Sequence, residues 1–175
     1  YRGISLLSNI YKLYASIINQ RLGTYLEANK KIVEEQNGFR KLRSCLDHIF
    51  SLTCVIRNRK IAGKDTFACF VDMRRAFDTV SRTGLLYKLQ KVGVCKHLYR
   101  AIEVIYTKTE YCILVNEYVT EWFETLNGVK QGDNLSPTLF SLYLNDLAEE
   151  INCKNYGLKV DDFYLNLLLY ADDIV

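Results

Sequence analysis

Leu165-Asn166-Leu167-Leu168-Leu169-Tyr170-Ala171-Asp172-Asp173-Ile174-Val175 (LNLLLYADDIV) carries an apolar run into two adjacent acids and back into an apolar pair. Residues 165–170 read as a strand, and their mostly apolar composition places it in a core. Ala171-Asp172-Asp173 interrupts it, and Ile174-Val175 resumes. The same order occurs about a hundred residues earlier, where Thr66-Phe67-Ala68-Cys69-Phe70-Val71 (TFACFV) is rich in β-formers and ends on Asp72. Adjacent strand residues point to opposite faces. A tight turn at Ala171-Asp172 could break that alternation and aim one carboxylate back toward Asp72. Carboxylates converging from neighbouring strands repel unless a cation lies between them, and hard oxygen donors select Mg2+. The plainer alternative is that these acids only cap strand ends. Asp161-Asp162 is also paired, but it lies in a polar stretch and is assigned no chemistry.

Working outward, Leu7, Ile10, Tyr11, Tyr14, Ile17, Ile18, Leu22 and Tyr25 fall at three- and four-residue steps, so an amphipathic helix is expected from Ile4 to about Leu26. Gln36-Asn37-Gly38 reads as a turn. Ser44 is placed to cap a second helix with Leu46, Ile49, Phe50 and Thr53 on its inner face. A further helix is expected over about 83–92, closing near Gly93. Tyr111–Val115 and Tyr118–Phe123 flank Asn116-Glu117 as a hairpin. Ser136-Pro137 reads as an N-cap with proline in the first helical position, ahead of a stripe of Leu139, Phe140, Tyr143, Leu144, Leu147 and Ile151. Strands and helices mix without a regular βαβ repeat, which predicts an α+β fold with helices backing an antiparallel sheet.

The 175 residues suit one domain, or one with a subdomain. With 49% hydrophobic and 25% charged residues, nine Gly and one Pro, the composition excludes disordered and collagen-like chains. No eighteen-residue apolar run exists to span a bilayer. The chain opens on Tyr1-Arg2-Gly3 with no initiator Met, basic leader or signal core, and stops inside an expected strand; it reads as a fragment. Cys45, Cys54, Cys69, Cys95, Cys112 and Cys153 form no Cys-x-x-Cys pair, and only His48 and His97 could supplement them. That pattern fits neither a zinc site nor a disulfide scaffold, and the thiols are expected to be reduced core residues of an intracellular protein. The net charge of +3 hides an asymmetry: residues 1–108 hold 20 Lys+Arg against 8 Asp+Glu, whereas 109–175 hold 3 against 12. A positive half suits a phosphate backbone, though solvated helix faces would give the same count.

Five blocks then resemble one family. Phe70-Val71-Asp72-Met73-Arg74-Arg75-Ala76-Phe77-Asp78 is similar to the first catalytic motif of reverse transcriptases, and Tyr170-Ala171-Asp172-Asp173 to their Y-x-D-D motif. Gln131-Gly132-Asp133-Asn134-Leu135-Ser136-Pro137 resembles the intervening Q-G-x-x-x-S-P motif. Ile4–Lys12 and Gln36–Ser44 resemble fingers motifs of non-LTR retrotransposon enzymes, and the blocks occur in the family's order over nearly the whole chain.

The resemblance implies a right-hand polymerase fold, with 1–65 as a fingers-like segment and 66–175 as a palm-like segment into which part of the fingers returns around 94–125. The rest of the palm and the thumb would be absent, leaving the fragment weakly active or inactive. It implies RNA-directed DNA synthesis, a primer 3′-hydroxyl attacking the α-phosphorus of a dNTP under two Mg2+ ions (Mn2+ able to substitute). RNA template and DNA primer would be the partners, with no membrane association, and the nucleus would be the site of action. Asp72 and Asp172 would be the direct metal ligands and Asp173 would assist. Backbone at Met73 would approach the triphosphate. Phe77 would be the steric gate against a ribose 2′-hydroxyl, with core packing as the alternative. Gln131 and Gly132 would contact the incoming nucleotide, and Arg40, Lys41 and Arg43 would face triphosphate and template, or sit in a solvated loop. Three positions depart from the family pattern: Gly3 for proline, Met73 for an aromatic residue, and Asp133 for a small neutral residue, the last placing an extra acid near the nucleotide. The competing readings are a non-catalytic nucleic-acid-binding remnant and a palm-fold nucleotidyltransferase without a template.

Overall fold

In a computed structural model, residues 4–154, 156–160 and 163–175 are described. Gly3 and the Asp161-Asp162 pair lie outside them. The chain order is α1 (Asn9–Ala28), α2 (Cys45–Ile61), β1 (Val71–Asp72), α3 (Arg82–Lys91), α4 (Lys96–Thr107), β2 (Glu110–Tyr111), β3 (Leu114–Val115) and β4 (Tyr118–Val119). Then follow β5 (Phe123–Glu124), α5 (Ser136–Cys153), β6 (Leu158–Val160), β7 (Phe163–Leu165), β8 (Leu169–Tyr170) and β9 (Asp173–Ile174). Helices thus mix with short antiparallel strands, as the missing βαβ repeat predicts. The chain forms two compact units, Tyr1–Lys31 with Arg75–Tyr143, and Ile32–Arg74 with Leu144–Val175.

In the first unit α1 starts where the Ser8 hydroxyl accepts the Tyr11 amide (3.2 Å), and α3 where Ser81 accepts from Gly84 (3.2 Å). Ala15, Ile18, Leu22 and Leu26 of α1 are buried, with Leu85 and Leu89 of α3, Ile102 and Ile105 of α4, and Leu139 and Phe140 of α5. The expected face of α1 is partly corrected: Ile10 is 84% exposed, and Tyr14 and Ile17 are exposed too. Apolar residues occupy more than one face of this helix, so spacing marked the helix without saying which stripe α4 would cover. Helix α4 has no counterpart in the sequence reading, although Leu98, Ile102, Ile105 and Tyr106 carry the spacing. The expected hairpin forms as two ladders, Leu114↔Val119 with Val115↔Tyr118 and Glu110↔Glu124 with Tyr111↔Phe123, around a turn with Asn116 at φ +54°.

In the second unit the sheet order is β1-β9-β8, antiparallel throughout. Ala148, Leu167, Leu169 and Ile174 form its core, with Val33, Met73 and Ile151 packed against them. Two expected strands are shorter than the apolar runs. Of residues 66–71 only Val71 joins a strand, and Phe67 and Phe70 are 94% and 71% exposed. An apolar run becomes a strand only where a neighbour supplies ladder partners, and β9 pairs with Val71 and Asp72 alone. The 165–170 run is split: Leu165 closes β7, which pairs with β6, and only Leu169-Tyr170 enters the central sheet. Asp47 accepts the Ser44 amide (2.8 Å) at the start of α2, as a cap there requires. Its expected inner face is overturned, however: Leu46, Ile49 and Phe50 are exposed, and no residue of α2 is buried. The cysteines are free as expected but not in a core, since Cys45, Cys69, Cys95 and Cys153 are exposed. Apolar neighbours such as Leu46 and Phe70 are themselves exposed, so flanking composition misled.

Candidate active site

Asp72, Asp172 and Asp173 all belong to the second unit, Asp72 and Asp173 on the β1-β9-β8 sheet and Asp172 in its β8–β9 turn. Asp72 and Asp173 are register partners across β1 and β9. Directly opposed residues of an antiparallel pair share a face with Cβ atoms about 4.5–5.5 Å apart, and like charges there destabilise the pair. Tyr170↔Asp173 closes β8 and β9 into a two-residue hairpin, leaving Ala171 and Asp172 as the turn. A tight turn at Ala171-Asp172, which the sequence allows, is present, and it takes Asp172 out of strand alternation. Its backbone is costly. Ala171 adopts φ +58°, a left-handed conformation disfavoured by about 1–2 kcal/mol for a residue with a Cβ. Positive φ at only the first central residue marks the II′ class of hairpin turn, where glycine is the usual occupant.

Asp72 and Asp173 are exposed and Asp172 is half-buried. Among the described residues none of the three carboxylates has a hydrogen-bond or ion-pair partner. Unpaired carboxylate oxygens are hard donors, and in donor type they suit a divalent cation such as Mg2+. Among the described residues no group of three or more His, Cys, Asp or Glu side chains is placed to hold a metal ion.

The segment preceding α2 carries the candidate cations. Arg40 donates to the carbonyls of Val33 (2.8 Å) and Gln36 (3.0 Å). Arg43 donates to the Glu34 carbonyl (2.8 Å) and the Asn37 side chain (3.3 Å), and pairs with the Glu34 carboxylate. Both guanidinium groups thus hold the 33–38 loop, whereas Lys41 is exposed. Sequence reasoning assigned Gln36 no role, yet it is 1% exposed and hydrogen-bonded to the Ala171 backbone. Its signal was present as a glutamine in a turn that precedes glycine. Met73 packs its side chain on the sheet core, which anchors the backbone beside Asp72.

Phe77, Gln131 and Gly132 belong to the first unit. The Phe77 ring stacks on Phe140 (centroids 4.6 Å, planes 12° apart) and is half-buried. Residues 130–133 form a turn closed by the Asp133 amide on the Lys130 carbonyl (3.2 Å). Gly132 sits third in that turn at φ +96°, the position that demands glycine in a type II turn. The Ser5 amide donates to the Gln131 carbonyl (2.9 Å). Asp133 turns inward: it is 4% exposed, accepts from the Tyr11 hydroxyl (2.9 Å) and from the Leu135 amide (3.3 Å) at the start of α5. The Lys130 ammonium lies 4.5 Å from the Tyr11 ring centroid. Burial, and then the Asp133 charge, push the Tyr11 hydroxyl's pKa well above its usual value. Burial lowers the Lys130 ammonium, with Asp133 opposing it.

The profile of the reverse transcriptase (RNA-dependent DNA polymerase) family matches residues 1–175. The chain belongs to this family. It is 30% identical, over 99% of its length, to a probable RNA-directed DNA polymerase from transposon BS of Drosophila melanogaster. It is 32% identical over 74% of its length to the Pol polyprotein of the type-1 retrotransposable element R2 of Popillia japonica, and 27% identical over 99% to the RNA-directed DNA polymerase from mobile element jockey of Drosophila melanogaster. It spans about a fifth of these relatives, 19%, 22% and 18% of their lengths respectively. These matches agree with the resemblance that the five motifs carry.

Proposed function

We propose that this reverse transcriptase segment carries the polymerase site of a non-LTR retrotransposon protein, one that copies RNA into DNA by adding dNTPs to a primer 3′-hydroxyl. The observation that supports it most directly is the Asp72↔Asp173 register beside the Ala171-Asp172 turn. It sets Asp72 opposite Asp173, about a hundred residues further along the chain, and next to the turn that carries Asp172. In this reading Asp72 and Asp172 hold two Mg2+ ions and Asp173 assists, with Mn2+ able to substitute. When bound, the ions supply charge neutralisation at the attacking and leaving oxygens. The protein's own part is placement and electrostatic preorganisation. Asp172 is held by a two-residue turn, and Met73 ties the backbone next to Asp72 to the core. By the family resemblance, Gln131 and Gly132 would contact the incoming nucleotide and Phe77 would face its sugar. In the right-hand frame, residues 1–65 are fingers-like and 66–175 palm-like, with fingers returning around 94–125. Action in the nucleus follows from the same reading.

The test is Mg2+-dependent primer extension on RNA and DNA templates by the intact protein that carries this chain. Asp72→Asn or Asp172→Asn should lower extension by about three orders of magnitude, the several kcal/mol that metal charge stabilisation provides. The circular dichroism spectrum should be unchanged. Activity retained in either variant sinks the metal assignment. Tight template binding without any synthesis by the unmodified protein would instead make it a nucleic-acid-binding remnant.

A further inference from the structure

The Gln36 side chain is fully buried and spends its amide on one neighbouring turn. Its Oε1 accepts from the backbone amides of Gly38 (2.8 Å) and Ala171 (3.0 Å), and its Nε2 donates to the Ala171 carbonyl (3.3 Å). One side chain thereby satisfies both backbone polar groups of the residue that holds the left-handed conformation in the Asp172 hairpin. The surrounding chain reinforces it. Residue 36 bridges Leu169 in parallel, the Asn37 amide donates to the Leu169 carbonyl (2.8 Å), and the Leu169 amide donates to the Glu35 carbonyl (2.9 Å). Gly38 lies so close that a Cβ there would sit 2.3 Å from the Ala171 nitrogen. Residues 35–38 are thus laid along β8 up to the turn itself, with a glutamine in place of the backbone partner that the turn lacks.

We infer that Gln36 is a positioning residue for the candidate metal site: it holds Ala171 in the left-handed conformation and so sets the direction of Asp172. The inference rests on the proposed polymerase reading for its consequence, but not for the hydrogen bonds. A glycine at 171 would adopt the same φ unaided. Dependence on Gln36 should therefore vanish when Ala171 is replaced by glycine, which a general packing role for Gln36 does not predict.

The experiment compares the intact protein, Gln36→Met, and Gln36→Met with Ala171→Gly. Met has a similar volume but neither donates nor accepts here. In metal-free protein, amide hydrogen exchange over 168–175 should be about tenfold faster in Gln36→Met, as expected from losing hydrogen bonds at a buried site. Exchange in α1 should not change. The Mg2+ concentration giving half-maximal extension should rise about tenfold for the same reason, and the double variant should recover both values to within about threefold. Where Gln36→Met does not fold alone, Gln36→Met with Ala171→Gly is compared with Ala171→Gly: exchange over 168–175 should then differ by less than about threefold, and a larger difference overturns the inference. Unchanged exchange over 168–175, or a double variant no better than Gln36→Met, overturns the inference. If the unmodified protein shows no Asp72-dependent extension, the polymerase reading fails, and the exchange measurement still decides whether Gln36 holds the turn.

Discussion

Phe77 has an observed packing role and a proposed one against the sugar. Its ring is stacked on Phe140 and half-buried, so packing and a role against the sugar are compatible: a gate must be rigid to exclude a hydroxyl, and stacking supplies the rigidity. Phe77→Val should cost about 1–3 kcal/mol of stability by removing the stack. It should also narrow the preference for dNTP over NTP, read as the ratio of kcat/KM values, by about tenfold or more. Stability lost with an unchanged ratio would leave Phe77 as packing alone. Asp133 teaches the opposite lesson. From its place after Gln131-Gly132 it looked like an acid facing the nucleotide, but Tyr11 and the Leu135 amide turn its carboxylate inward. There it ties the 130–133 turn to α1 and α5, and its charge is offset by the Lys130 ammonium over the Tyr11 ring. A residue 122 positions away in sequence decided its direction, which no local pattern reveals.

Among the elements, α2 is the one whose surroundings differ most from its pattern. Ser44, backed by Asp47, starts it where expected, because capping is a local bond between neighbours. Its apolar residues stay exposed, because burial requires another element and local spacing cannot provide one. His48, in its first turn, has its pKa lowered by burial, with Asp47 raising it and Arg43 lowering it. A base whose pKa is lowered by folding binds fewer protons folded than unfolded, so stability is full above the unfolded value and falls as pH drops. Urea denaturation should therefore show stability falling once pH passes below about 6.5, levelling off below the lowered folded value. His48→Gln should flatten that part of the curve. A curve identical for both proteins would place His48 outside the titration. The strands carry the same lesson: TFACFV and LNLLLY have the composition of strands, but ladder partners reach only Val71, Leu165, Leu169 and Tyr170.

At the scale of the whole molecule, the positive charge of residues 1–108 bears on the proposed template binding. If those side chains meet phosphates, each contact releases counterions, and affinity for a primer–template should fall linearly on a log–log plot against salt, with slope about −0.7 to −0.9 per contact. A slope near zero would return the basic residues to solvated surface and to internal work such as Arg40 and Arg43 perform on the 33–38 loop. What the sequence alone determined were the things decided by neighbours along the chain: the α+β mixture, most helix starts and the Asn116-Glu117 hairpin turn, while the turn at Ala171-Asp172 stood there only as one option. It also identified the family, because five motifs in order are a linear property. Only the tertiary structure decided which apolar faces are covered, how long the strands run, that Asp133 points inward, and that Gln36 meets Ala171 across 135 residues. Those outcomes depend on partners brought together by folding, and a hydrogen bond or a ladder pair exists only once both partners are in place.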